Sequence, residues 1–129
     1  MSPLNLENKK ILIVEDDDLS FLYLNHILLL TKGAFIREKK GIDAIERFRS
    51  DAAFDMILMD IQLPDMDGKQ VTREIRKLNG HIPIIAQTAS RSSLERDHML
   101  EAGCTDVLTK PFSMDDLFEM IGKYVGVAS

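Results

Sequence analysis

Apolar residues along this chain fall into two alternating kinds of run. Ile11-Leu12-Ile13-Val14 is an unbroken apolar block with three β-branched members, which suits a strand covered on both faces. Met56-Ile57-Leu58-Met59, Ile84-Ile85-Ala86 after Pro83, and the short Val107-Leu108 repeat that pattern. Ala34 to Lys39 alternates less cleanly, as expected of a strand nearer a sheet edge. Between these blocks lie longer stretches with apolar side chains three and four residues apart, the spacing of one helix face. They are Leu19 to Thr31, Gly41 to Arg49 with Ile42, Ile45 and Phe48 on one side, and Lys69 to Lys77 with Val71 and Ile75. A fourth starts at Ser92 or Ser93 and ends at Ala102 before Gly103; a fifth, Met114 to Tyr124, is capped by Ser113. In the first helix, Tyr23, Leu24, Ile27 and Leu28 form the stripe expected to face a sheet. Phe21, Leu22, Asn25 and Leu29 then fall on or beside the opposite face, where an exposed apolar patch would suit a docking partner.

Five strand–helix pairs in alternation predict an α/β fold with helices on both faces of a mostly parallel sheet. Right-handed crossovers leave few topologies. The length of 129 residues matches the doubly wound, five-stranded, flavodoxin-like (βα)5 class with strand order 2-1-3-4-5. We expect one domain over residues 8–127, with 1–7 an N-terminal extension or expression remnant. No linker or low-complexity tract interrupts it.

Composition narrows the setting. An apolar share of 45% is ordinary for a folded domain. A net charge of −5 without a basic run argues against direct binding to nucleic acid or an anionic membrane. Cys104 is the single cysteine, so no internal disulfide is available. The apolar stretch around Ile27 to Leu30 is far too short to span a bilayer, and the N-terminus lacks the layout of a signal peptide. A cytoplasmic location is the resulting expectation.

In a doubly wound sheet, ligands bind beyond the carboxyl ends of the strands where strand order reverses. The polar residues directly after the apolar blocks are therefore the candidates. Glu15, Asp16, Asp17 and Asp18 follow the first, Asp60 the third, Thr88 the fourth and Lys110 the fifth. Asp16, Asp60, Thr88 and Lys110 are separated in turn by 44, 28 and 22 residues, or two, one and one βα units, so all should reach the same edge. Clustered carboxylates repel, and a hard cation such as Mg²⁺ resolves the repulsion while keeping sites open for phosphoryl oxygens. An Asp beside such a cation can act as a nucleophile towards phosphorus. A lysine ammonium and a threonine hydroxyl can then bind the phosphoryl oxygens.

With these residues in view, the sequence resembles the response-regulator receiver family of two-component signalling. The resemblance rests on Ile11 to Asp17, on Leu58-Met59-Asp60-Ile61-Gln62-Leu63-Pro64-Asp65-Met66-Asp67-Gly68, on Thr88-Ala89, and on Lys110-Pro111-Phe112. Together these cover the chain from Lys10 to about Val125. The resemblance implies that Asp60 accepts a phosphoryl group from a histidine kinase or histidine phosphotransfer protein. It also implies a Mg²⁺ (or Mn²⁺) site made by Asp16, Asp60, the backbone carbonyl of Gln62 and, through water, Glu15. Thr88 matches the switch hydroxyl and Lys110 the phosphate-binding lysine, with a Lys110–Pro111 bond that is commonly cis. Such a protein catalyses its own phosphorylation and dephosphorylation without being an enzyme of ordinary turnover. A homodimer stays open.

The chain departs from the family pattern in three places. Val107 stands where an aromatic switch residue is frequent, Leu63 where methionine is common, and Gln87 where an apolar residue is usual. The run Ile85 to Ala89 is similar to receivers of hybrid sensor kinases, so an excised hybrid-kinase module is one alternative. A flavodoxin-like binding module without phosphotransfer is another, although Glu15 to Asp18 would repel a phosphate there. Other polar residues have plainer readings. Asp17 and Asp18 suit a helix start, and Asp65, Asp67 and Gly68 a turn. His26, His81 and His98 share no position in the repeat, and Cys104 is small packing.

Overall fold

The computed structural model describes residues 4–51 and 53–125. Its elements run β1 (Lys10–Val14), α1 (Asp18–Leu28), β2 (Ala34–Glu38), α2 (Gly41–Ser50), β3 (Met56–Asp60), α3 (Gly68–Leu78), β4 (Ile84–Thr88), α4 (Ser93–Ala102), β5 (Asp106–Thr109) and α5 (Met114–Tyr124). The strands form one parallel sheet in the order β2-β1-β3-β4-β5, as expected. α1 ends three residues earlier than its apolar pattern suggests. Leu29–Thr31 tighten into a 3₁₀ turn, and Lys32 takes a left-handed conformation with φ 67°.

Strand side chains alternate between two layers. One layer joins Ile11, Ile13, Leu58, Ile85 and Leu108 to Leu24, Ile27 and Leu28 of α1 and Leu117 and Ile121 of α5. The other joins Leu12, Val14, Ile57, Met59 and Ile84 to buried residues of α2, α3 and α4. Complete burial of each such side chain contributes roughly 1.5–3 kcal/mol. Leu6, ahead of β1, is fully buried in the first layer, and its N–H donates to Thr31 O at 2.7 Å.

Two helix faces differ from their periodicity. Ile42 is 51% exposed, and Ala44, Ile45 and Phe48 form the buried face of α2 instead. The start of α2 is set by a distant group: the Asp65 carboxylate accepts from the N–H groups of Gly41 and Ile42 at 2.8 and 2.9 Å. On α1, Tyr23 is turned outward, 46% exposed, with its hydroxyl donating to Phe112 O at 2.7 Å. Phe21 packs against the core from the side expected to face solvent, with the Arg37 guanidinium 4.4 Å from its ring centre. Leu19, Leu22, Leu29 and Leu30 are exposed.

Local signals hold elsewhere. Asp17 caps α1 and Asp67 caps α3 through their carboxylates, while Ser113 and Asp116 form a reciprocal capping box on α5. α4 closes on Gly103 at φ +117°, a conformation that suits a residue without a side chain. At the sheet edge, Asp106 accepts from Tyr124, Arg96, Lys123 and the N–H of Val107. Burial disfavours its charge, but these donors together hold the carboxyl below its ordinary range.

Gly68 opens α3 directly beneath the end of β3. A Cβ there would lie 2.6 Å from Asp60 O and 2.8 Å from Ile61 Cα, both backbone atoms that cannot swing away. Gly68→Ala is therefore expected to cost about 1–3 kcal/mol in urea unfolding, as overpacking does. Gly80, where a Cβ meets nothing within 4 Å, provides the control: Gly80→Ala should stay within about 0.5 kcal/mol of the parent.

Candidate functional site

Because all five strands run the same way, their carboxyl ends share one edge, and the order reversal lies between β1 and β3. Val14 pairs with Met59, so Glu15 and Asp60 follow as the next cross-strand neighbours. Asp60 in turn pairs with Gln87 on β4, and Gln87 with Leu108 on β5. Thr88 ends β4, and Lys110 follows β5, with its N–H donating to Thr88 O at 2.7 Å. The four strand ends singled out by sequence thus meet as expected.

Carboxylate oxygens of Glu15, Asp16 and Asp60 lie within 4.8 Å of one another. Glu15 is fully buried and Asp60 nearly so. Burial, followed by the hydrogen bond and charge of Asp60, pushes the Glu15 carboxyl up to about 7. Lys110 opposes that shift: its Nζ is 3.3 Å from Glu15 Oε1 and 3.8 Å from Asp60 Oδ2. Backbone groups fix both acids. The Gln62 N–H donates to Asp60 Oδ1 at 3.0 Å, and the Asp17 N–H to Glu15 Oε2 at 3.2 Å. Arg37 Nε donates to Glu15 O at 2.9 Å and pins the chain as it leaves β1. Thr88 Oγ1 accepts from the Ser90 N–H at 3.0 Å, which leaves its own proton free to donate.

These groups line a cleft of about 290 Å³ that includes Asp16, Asp60, Gln62, Gln87, Thr88 and Lys110. A second, more apolar cavity of about 470 Å³ lies between the start of α1 and the Lys110-Pro111-Phe112 turn, and Gln87 and Lys110 line it as well. The Lys110–Pro111 bond is cis. Asp17 and Asp18 do not join the acid cluster. Asp17 is occupied by the cap, and Asp18 pairs with Arg37 and Lys39 at 2.9 and 3.1 Å. His26, His81 and His98 are exposed.

Sequence reasoning passed over two participants. Arg37 lay in an edge strand with no local sign that it reaches Glu15. Gln87 was visible as a polar residue in an apolar block, but its setting was not: it has no exposed surface, and neither amide atom has a hydrogen-bond partner among the described residues. An unpaired buried amide costs about 1–3 kcal/mol.

Three carboxylates facing one another, one with raised proton affinity, fit a hard divalent cation. Such ions take oxygen ligands and discharge the mutual repulsion. Asp16 and Asp60 could hold it directly, with Glu15 behind them.

A doubly wound parallel sheet in the order β2-β1-β3-β4-β5, with an acidic cleft at its order reversal, defines a member of the flavodoxin-like fold class. Comparison with known proteins goes further. The response regulator receiver domain family matches residues 11–122. The polar-differentiation response regulator DivK of Brucella anthropi is 33% identical over 122 residues, covering 93% of this chain and 98% of its own length. The sensor protein GacS of Pseudomonas syringae pv. syringae is 32% identical over 131 residues, 98% of this chain, but the match spans only 14% of GacS. The receiver domain of a sensor histidine kinase from Pseudomonas aeruginosa, solved with a magnesium ion coordinated in its active-site cleft, is 33% identical. It superimposes with a TM-score of 0.84 over 92% of this chain and 98% of its own. The chain belongs to the response regulator receiver domain family of two-component signalling. Among the described residues, no helix is long and apolar enough to cross a membrane.

The geometry separates neighbouring acids. Asp16→Asn is expected to weaken Mg²⁺ binding at least tenfold, while Asp18→Asn, whose parent side chain is turned to Arg37 and Lys39, should change it little. Binding must also displace the proton held by Glu15, so affinity should rise as pH climbs through about 7 and level off above it. Amide NMR titrations with Mg²⁺ at several pH values read both effects. Equal losses in the two variants would show that the cation sits elsewhere.

Proposed function

We propose that the chain accepts a phosphoryl group on Asp60 from a phosphohistidine and hydrolyses it later, with a change of conformation between. The observation that carries this reading is the placement of Asp60: nearly buried, within reach of two further carboxylates, and 3.8 Å from the Lys110 ammonium. Family membership supports it, as does the magnesium-bound cleft of the Pseudomonas aeruginosa receiver.

The chemistry follows from the residues. An Asp60 carboxylate oxygen attacks phosphorus in line with the departing imidazole. The new P–O bond forms as the P–N bond breaks, and the bonding pair returns to an imidazole whose other nitrogen carries a proton, so neutral histidine leaves. The Gln62 N–H holds Oδ1 and so orients the nucleophile. Lys110 turns from Glu15 towards the arriving oxygens, and the Thr88 hydroxyl donates to one of them. Asp16, Asp60 and the Gln62 carbonyl, with Glu15 through water, would hold Mg²⁺ (or Mn²⁺). That cation neutralises charge on the phosphoryl oxygens. Lys110, Thr88 and Asp60 are the catalytic set, within a receiver domain spanning 8–127.

The donor is a histidine kinase or histidine phosphotransfer protein, and the setting is cytoplasmic. Exposed Leu19 and Leu22, beside the cleft at the start of α1, are available to such a partner.

Intact mass measurement after incubation with acetyl phosphate and Mg²⁺ tests the reading. One phosphoryl group should add to the wild type, none to Asp60→Ala, and none to the wild type in excess chelator. Full labelling of Asp60→Ala would overturn it.

A further inference from the structure

Gln87 lies on the strand between Asp60 and Lys110, the nucleophile and the lysine that serve the transfer. It is the cross-strand partner of Asp60 and, on its other side, of Leu108, two residues before Lys110. Strand side chains alternate, and Leu58 and Ile85, two positions before Asp60 and Gln87, both pack in the α1/α5 layer. Asp60 and Gln87 therefore leave the sheet on that same side, on strands about 4.8 Å apart. Gln87 and Lys110 also line the same two cavities, the acidic cleft and the apolar space under α1.

The amide at this place has no exposed surface and, among the described residues, no partner for either polar atom. Its donor and acceptor nonetheless complement its neighbours: a carbonyl oxygen can take an ammonium proton, and an NH₂ can donate to a carboxylate or phosphoryl oxygen. Lys110 Nζ is instead 3.3 Å from Glu15 and 3.8 Å from Asp60.

We propose that Gln87 is a positioning residue for phosphoryl transfer. Its carbonyl receives Lys110 Nζ as the lysine leaves Glu15, and its NH₂ points to the oxygens gathered at Asp60. The inference rests on the reading of Asp60 as phosphoacceptor. The amide makes and breaks no covalent bond. It gains partners only in the loaded arrangement, so its interactions favour that arrangement over the resting one. Being neutral, it does so without adding to the repulsion among Glu15, Asp16 and Asp60.

Gln87→Met, which keeps an unbranched chain of similar length but removes the amide, is the direct test. Labelling by acetyl phosphate in Mg²⁺, followed by intact mass against time, should slow about tenfold. The urea midpoint should hold or rise, because an unpaired buried amide is gone. In wild-type protein labelled with ¹⁵N, the Gln87 side-chain NH₂ resonances should shift on addition of Mg²⁺ and beryllofluoride, a phosphoryl analogue. That readout decides the matter even where Gln87→Met fails to fold. Labelling of Gln87→Met at the wild-type rate, or NH₂ resonances that do not move, would overturn this inference alone. A wild type that takes no phosphoryl group would overturn the reading of Asp60 as well.

Discussion

Three carboxylates are held within 4.8 Å of one another at the edge of an apolar sheet. Free in water, such groups would separate. Here each is fixed to the end of a strand or within two residues beyond it, and the strands are locked by two apolar layers that the acids cannot disturb. The unfavourable cluster therefore persists at the expense of core stability, and it is partly relieved in two ways. Glu15 keeps a proton up to about pH 7, and Lys110 sits against Glu15 and near Asp60. A cation bound there would disturb both arrangements together, because it would compete with the proton and with Lys110 for the same carboxylate oxygens.

The loop after β3 passes that change on. Gln62 donates to Asp60, Asp65 caps α2 from 24 residues away, Asp67 caps α3, and the Gly68 N–H donates to Ile61 O at 2.8 Å. A shift of Asp60 would thus reach the first turns of two helices across the sheet from α1 and α5. The absence of a side chain at Gly68 is what allows α3 to begin so close to the nucleophile's backbone.

The other edge is built differently from the pattern frequent in the family. Val107 is buried against the α2/α3/α4 layer, with no ring to move between buried and exposed positions. Beside it, Asp106 links β5 to Arg96 of α4 and to Lys123 and Tyr124 of α5. Gln87 departs from the family pattern in the opposite sense, a polar residue under the site where an apolar one is usual.

Strand blocks, helix spacing and caps such as Ser113 and Gly103 were legible in the sequence because each depends on neighbours a few residues apart. The convergence of Asp16, Asp60, Thr88 and Lys110 was legible too, since every βα unit of a parallel sheet returns the chain to the same edge. Tertiary structure alone decided the rest. It placed Leu6 in the core, turned Tyr23 out and Phe21 in, left Ile42 exposed, and brought Asp65 to the start of α2. It sorted four consecutive acids, sending Asp17 to a helix cap and Asp18 to Arg37, while Glu15 and Asp16 stayed with Asp60. It also buried the Gln87 amide where neither polar atom has a partner among the described residues. These outcomes depend on which distant segments meet, and periodicity along a chain records only the direction each side chain faces, not what it meets there.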